Sequence, residues 1–197
     1  MTPELKFYMS PFYEGQLIEF NPQKPNELPR KEFRELVEKI KLRKVQLHQY
    51  LEELTRILQI KWERKEIEVW FVNVHHRSFS HPTTISIVDA KGPRDVEEII
   101  DITMHELTHV MLYLHPLFKE ALEKLNNDYP DTTVNTRIHI LVHAALAKYY
   151  QNVRGLHRME MDRQYLEIYP EYKLSWDIVV KEGPEKILEK YLGIKHE

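Results

Sequence analysis

The chain has 197 residues, 42% of them hydrophobic and 30% charged, with a formal net charge of −3. That is enough apolar material for a folded core, which excludes wholesale disorder, and the near-neutral balance excludes a general nucleic-acid binder, which needs a basic excess to neutralise phosphates. With no Cys and 11 His, disulfides, thiol nucleophiles and thiolate-held metal centres are excluded, and any metal chemistry falls to His, Asp and Glu.

Residues 1–29 are Pro-rich, with Pro3, Pro11, Pro22, Pro25 and Pro29, so little helix is expected there beside a short strand over 17–20. Pro29 opens a helical pattern running to about residue 60. Phe33, Leu36, Val37, Ile40, Val45, Leu47, Leu51, Leu54 and Leu58 fall roughly on one face of it. The opposite face, rich in Lys, Arg, Glu and Gln, reads as the solvated side of a long scaffold helix, with a partner-binding coiled coil as the alternative. Residues 67–74 are rich in β-branched and aromatic side chains and predict a strand. Residues 83–88 alternate polar and apolar and predict a second, half-exposed one at an edge. Asp95 and Glu98 make a capping-box start for a helix over 96–114, which Pro116 ends. A short helix fits 117–125, a loop 126–131, a longer helix 132–153, and further helical pieces fill 157–192 with breaks at Pro170 and at Gly183-Pro184. These elements predict one α+β domain spanning 1–197: a long scaffold helix, a small sheet, a central helix and a helical carboxy-terminal half. No stretch approaches the roughly 20 apolar residues that span a bilayer. The first residues also lack the basic start and apolar run of a signal peptide. The expectation is a soluble, cytoplasmic protein without membrane or nucleic-acid partners, of undefined oligomeric state.

The central helix carries His105-Glu106-Leu107-Thr108-His109. Two histidines at i and i+4 stand one above the other on a helix face, so both imidazoles reach one metal ion, and the intervening Glu lies beside a metal-held water whose proton it can take. Such a five-residue string arises by chance about 0.07 times in a chain of this composition, so it is the amphipathic helical setting that gives it weight. Here the chain resembles the zincin-like metallopeptidases. In that group an HExxH helix gives two ligands and the catalytic Glu, a neighbouring strand guides the substrate, and a later element gives a third ligand. The resemblance covers roughly residues 65–150 in element order, with the five-residue motif as its specific part. It implies a zincin-like fold, Zn²⁺ as cofactor, and a peptide or protein substrate.

The third ligand departs from the metzincin pattern, which wants Gly at 112 and His at 115. His115 is present, but residue 112 is Leu. A gluzincin-type ligand would come from the next helices, and Asp128, near that distance, falls in the expected loop. His139 and His143 are better placed. They share a polar stripe with Asn135, beside the apolar stripe of Ile138, Leu141, Val142 and Ala145. An open catalytic site has three protein ligands plus water, so one of the pair is expected on the metal. His143 is preferred, because Ala144 and Ala145 let its helix come close, and His139 is the alternative. Asn135 and Asp101 are expected to steady a ligand or meet substrate. His75, His76 and His81 are weaker sources of a ligand, and Tyr149, Tyr150, Arg154 and His157 of an oxyanion partner. The function predicted is a zinc-dependent peptidase with His105, His109 and His143 or His139 as ligands, Glu106 as general base, and residues 84–88 pairing with an extended peptide. Two alternatives remain: a non-hydrolytic metal-binding module on the same scaffold, in which both His139 and His143 hold the ion, and an interaction protein built on the long helix.

Overall fold

Ser10 and Pro11 start a helix where the proline count predicted almost none. The computed structural model describes residues 2–20, 27–74, 78–89 and 91–195, so His75 and His76 lie outside the described residues. Strand β1 (Glu4–Met9) leads directly into α1 (Pro11–Phe20). The Ser10 hydroxyl accepts from the Tyr13 N–H at 3.2 Å and the Ser10 carbonyl from the Glu14 N–H at 3.0 Å. Pro11 thus takes the first helical position, where a missing N–H costs nothing and a fixed φ helps. The strand expected over 17–20 is therefore the end of a helix. Leu17 packs with Val72 and Val74 in a small apolar cluster that Tyr13, Ile18 and Phe79 border.

The expected helix over 30–60 is two helices, α2 (Arg30–Lys41) and α3 (Lys44–Leu58). Neither Gly nor Pro marks the break. It is a tight turn in which the Arg43 N–H bonds the Ile40 carbonyl at 2.9 Å. The apolar spacing carries across it, since Ile40 and Leu47 are both fully buried, but Leu42 and Val45 are 84% and 74% exposed. Division into two shorter rods removes the length on which a coiled-coil partner role rested.

The chain divides into two compact units, Met1–Leu51 with Trp62–Leu107, and Glu52–Lys61 with Thr108–Glu197. The first holds β1, α1, α2, the first half of α3 and a mixed four-stranded sheet in the order β1-β2-β4-β3. Here β2 is Glu66–Val72, β3 Phe79–Ser80 and β4 Thr83–Ser86. Strands β1 and β4 run parallel to β2, with Phe7 opposite Val69 and Ile85 opposite Phe71, while β3 runs antiparallel to β4. Every residue of β4 is buried. Its outer side is taken by β3 at Thr83 and Thr84 and by the Ser78 hydroxyl, which accepts from the Ser86 N–H at 3.1 Å. The expectation of a half-exposed edge strand open to a peptide is thereby corrected: alternation in 83–88 reflects an interior strand with polar residues bonded internally, such as Ser86 Oγ to the Val74 and Val88 carbonyls. A two-stranded ribbon of β5 (Val88–Asp89) and β6 (Gly92–Pro93) follows.

The buried Glu14 ties this unit together. One carboxylate oxygen accepts from the Asn73 N–H at 2.9 Å and the other from Arg30 at 2.5 Å, while Asn73 exchanges two hydrogen bonds with the Leu28 backbone. Hydrogen bonds to a cation and an amide offset the cost of burying this side chain.

Helix α4 (Val96–Leu114) matches the predicted span at both ends. Its start is a reciprocal capping box: the Glu98 N–H bonds Asp95 Oδ1 at 2.8 Å and the Asp95 N–H bonds Glu98 Oε2 at 3.0 Å. The second unit continues with α5 (Phe118–Asp128), α6 (Val134–Tyr149), a π-helical turn at Tyr150–Arg154, then α7 (Leu156–Leu166), α8 (Pro170–Glu182) and α9 (Pro184–Leu192). Helix α6 is its centre. Nearly every residue from Thr136 to Tyr150 is buried, and α8 and α9 pack along it. The breaks before α8 and α9 fall where Pro170 and Gly183-Pro184 predicted them, with Gly183 at φ 91°. The protein is α+β, and among the described residues no helix is long and apolar enough to cross a membrane.

Candidate metal centre

Helix α4 presents the two motif histidines a turn apart, His105 buried and His109 half-buried. The apolar face of the same helix is held by Ile99, Ile100, Met104, Leu107 and Met111, each fully buried, which fixes the rotation of α4 and hence the direction of both imidazoles. The third member comes from α6. One nitrogen each of His105, His109 and His139 lies within 4.8 Å of the others. The His109 and His139 rings meet edge to face with centroids 4.8 Å apart.

The chemistry of this set suits a divalent cation. His139 Nδ1 lies 2.8 Å from the Asn135 carbonyl. A carbonyl only accepts, so Nδ1 carries the ring proton and Nε2 carries the lone pair. Burial pushes the His139 pKa down to about 4, against the opposing pulls of the Asn135 carbonyl and the Glu171 charge. The ring is therefore neutral at physiological pH, the form that ligates metal. Zinc–nitrogen bonds of about 2.0–2.1 Å in a tetrahedral site set ligand nitrogens roughly 3.3 Å apart, so the group needs to close by roughly 1.5 Å, a distance within reach of side-chain torsions. The three residues fit such an ion.

Glu106 sits about 100° around α4 from His105 and about 60° from His109, on the flank of the histidine face. It is 8% exposed. Burial pushes its pKa up to about 8. A neighbouring cation would act in the opposite sense and favour the ionised form.

Of the two candidates on α6, the structure brings His139 to the motif pair and leaves His143 out of the group. The residue preferred from the sequence, His143, thus lies outside the group, and His139, the alternative, lies in it. His143 lies one turn further along, fully buried, with its ring stacked on Trp176 at 4.4 Å and 12°. Its Nδ1 is 2.9 Å from Ser175 Oγ, and that hydroxyl donates its proton to the Tyr172 carbonyl at 2.8 Å. His143 therefore donates to Ser175 and serves the packing of α6 on α8. Asn135 meets the His139 ring through its main-chain carbonyl. Asp101 is buried on α4 one turn before His105. His115 follows the end of α4, where its Nδ1 accepts from the Leu117 N–H at 3.2 Å, and it caps that corner. Asp128 ends α5 and pairs with Lys190 at 2.7 Å. His81 is exposed beside Ser80, Tyr149 and Tyr150 are buried within the second unit, Arg154 is half-buried, and His157 is exposed on α7.

The contribution of α8 is absent from the sequence reading. Tyr172 lays its ring on His139 with centroids 4.1 Å apart, and Glu171, Ser175 and Trp176 meet the first turns of α6. The signal was present: Tyr172, Ser175 and Trp176 are spaced i, i+3, i+4, one face of a helix, with a buriable hydroxyl between two aromatics. No family model, curated protein or solved structure matches the chain.

Proposed function

We propose that this chain is a zinc-dependent metallopeptidase of zincin-like fold, in which His105, His109 and His139 hold the ion and Glu106 is the general base. The observation that carries this reading is the grouping of His105, His109 and His139, with one nitrogen of each within 4.8 Å of the others and Glu106 buried on the helix that supplies two of them. Ionisable groups placed beside a cluster of metal-ligating side chains concentrate where chemistry needs them. Zinc bound there would supply Lewis-acid polarisation of a scissile carbonyl and of the attacking water. With that ion bound, Glu106 would be the residue that takes a proton from the attacking water on a carboxylate oxygen and passes it to the leaving amine. Three histidines rather than four among the described residues favour an open, catalytic coordination over a closed, structural one. His143 lies outside the three-histidine group, which weighs against the non-hydrolytic module in which both it and His139 hold the ion.

The test joins metal content to turnover. Elemental mass spectrometry on the purified chain is expected to find about one zinc per molecule, lost in His105→Ala. Glu106→Gln is expected to keep the zinc and to lose roughly 10²–10⁴-fold in peptide cleavage, the range that a general base contributes. Full activity in Glu106→Gln would end the general-base role, and failure of the native chain to take up zinc on titration would end the metal reading altogether.

A further inference from the structure

The third ligand is held by a chain of contacts that starts on another helix. Thr133 is the N-cap of α6, its hydroxyl accepting from the Thr136 N–H at 3.1 Å. Glu171, in the first turn of α8, reaches this cap from outside. One of its carboxylate oxygens accepts from Thr133 Oγ1 at 2.6 Å and the other from Asn135 Nδ2 at 2.6 Å. The main-chain carbonyl of that same Asn135 accepts the His139 Nδ1 proton at 2.8 Å. Tyr172, the residue after Glu171, covers the His139 ring with centroids 4.1 Å apart. Two consecutive residues of α8 thus fix both the carbonyl that sets the His139 tautomer and the face against which the ring rests.

We infer that Glu171 is the positioning residue for His139: it clamps the first turn of α6 through Asn135 so that the His139 Nε2 lone pair is held toward the His105–His109 pair. This rests on the reading of the three histidines as a metal centre. The physical requirement is plain. An imidazole presents its lone pair to a metal only in one tautomer and one ring orientation, and the group that bonds the other nitrogen selects both. In most metal-binding histidines that group acts directly on the ring. Here the carboxylate acts one step removed, bonding the side-chain amide of the residue whose carbonyl holds the ring. The helical hydrogen bond to the Asn135 carbonyl does not compete, because a carbonyl has two lone pairs. A helix first turn is the part of a helix least held by its own bonds, so an outside clamp has most effect there.

The probe is Co²⁺, titrated into the full chain freed of metal, followed by its visible ligand-field bands and by competition for the dissociation constant. Glu171→Ala and Asn135→Ala are each expected to weaken Co²⁺ binding by about 10- to 100-fold, the usual effect of removing a partner that orients a ligand. The double variant is expected to be no weaker than the weaker single one, because both substitutions break one chain. Glu171→Gln, which preserves size and one acceptor oxygen and keeps the test open if Glu171→Ala fails to fold, is expected to fall between wild type and Asn135→Ala. Thr133→Ala removes the cap while leaving the Asn135–Glu171 bond, and should lower the melting temperature with less than about a threefold change in Co²⁺ affinity. Wild-type affinity and an unchanged spectrum in Asn135→Ala and Glu171→Gln would overturn the clamp. Equal weakening in Thr133→Ala would overturn it too, by reducing the role of Glu171 to helix stability. Failure of the underlying metal reading looks different: the wild-type chain then binds no Co²⁺, or His139→Ala binds it as tightly as wild type.

Discussion

Helices α4 and α6 each carry two histidines at i and i+4, yet they are used differently. On α4 both His105 and His109 join the cluster, whereas on α6 His139 joins it and His143 does not. Spacing alone makes the two pairs equivalent. What separates them is the neighbouring element. Along α6 the side of α8 changes within one turn from Glu171 and Tyr172, which hold a ring and the carbonyl behind it, to Ser175 and Trp176, which absorb a ring into packing. A histidine pair on a buried helix is thus two separate questions, each answered by what the next helix presents.

The largest expected effect tests that difference directly. His139→Ala should weaken zinc binding by more than about a hundredfold, beyond what loss of an orienting partner costs. His143→Ala should keep one zinc per chain, with affinity within about threefold of wild type, while losing stability. Elemental analysis and competition titration on the two variants read both numbers. Loss of zinc in His143→Ala with retention in His139→Ala would invert the assignment.

A second substitution sharpens the packing half of the comparison. Trp176 is 2% exposed and stacks on His143, so Trp176→Ala should cost about 3–5 kcal/mol of unfolding free energy in a denaturant titration. Under conditions where the variant is folded, its zinc affinity should stay within a few-fold of wild type. A loss of affinity matching that of His139→Ala would mean that the two turns of α6 act as one unit.

The same contrast explains which parts were legible in the sequence. Helix α4 was readable to its ends because its signals are local: a capping box at Asp95 and Glu98, an apolar period, and Pro116 beyond the last turn. The breaks at Pro170 and Gly183-Pro184 are of the same kind. Helix α1 was not readable from proline counting, since Pro11 behind Ser10 is a start signal rather than a break. The turn between α2 and α3 leaves no mark in composition, because its 3₁₀-like bond at Arg43 asks nothing special of the side chains. Residues 83–88 show alternation, but whether an alternating strand lies at an edge depends on its neighbours, and β3 is only two residues long. The preference for His143 rests on Ala144 and Ala145, which are indeed buried. Small residues tell how closely a helix can be approached, and they do not tell which of its turns faces His105 and His109.

The smallest expected effect concerns the cap of α6, and it separates holding a helix from aiming a ligand. The Thr133 hydroxyl accepts from the Thr136 N–H and donates to Glu171, so Thr133→Ala removes one satisfied helix donor and one side-chain bond at a partly exposed site. The expected cost is about 1 kcal/mol, the usual value of an N-cap, which for a chain of this size lowers the melting temperature by about 2–4 °C. Thr133→Ser keeps the hydroxyl and should recover nearly all of it. The sign of the comparison follows from where each bond ends. The Thr133 bonds end on the first turn itself, while the Asn135 amide bond continues through its own residue to the His139 ring. Thermal melting of Thr133→Ala beside Asn135→Ala therefore ranks the two by stability, and zinc affinity ranks them in the opposite order if α6 is capped by one residue and aimed by the other.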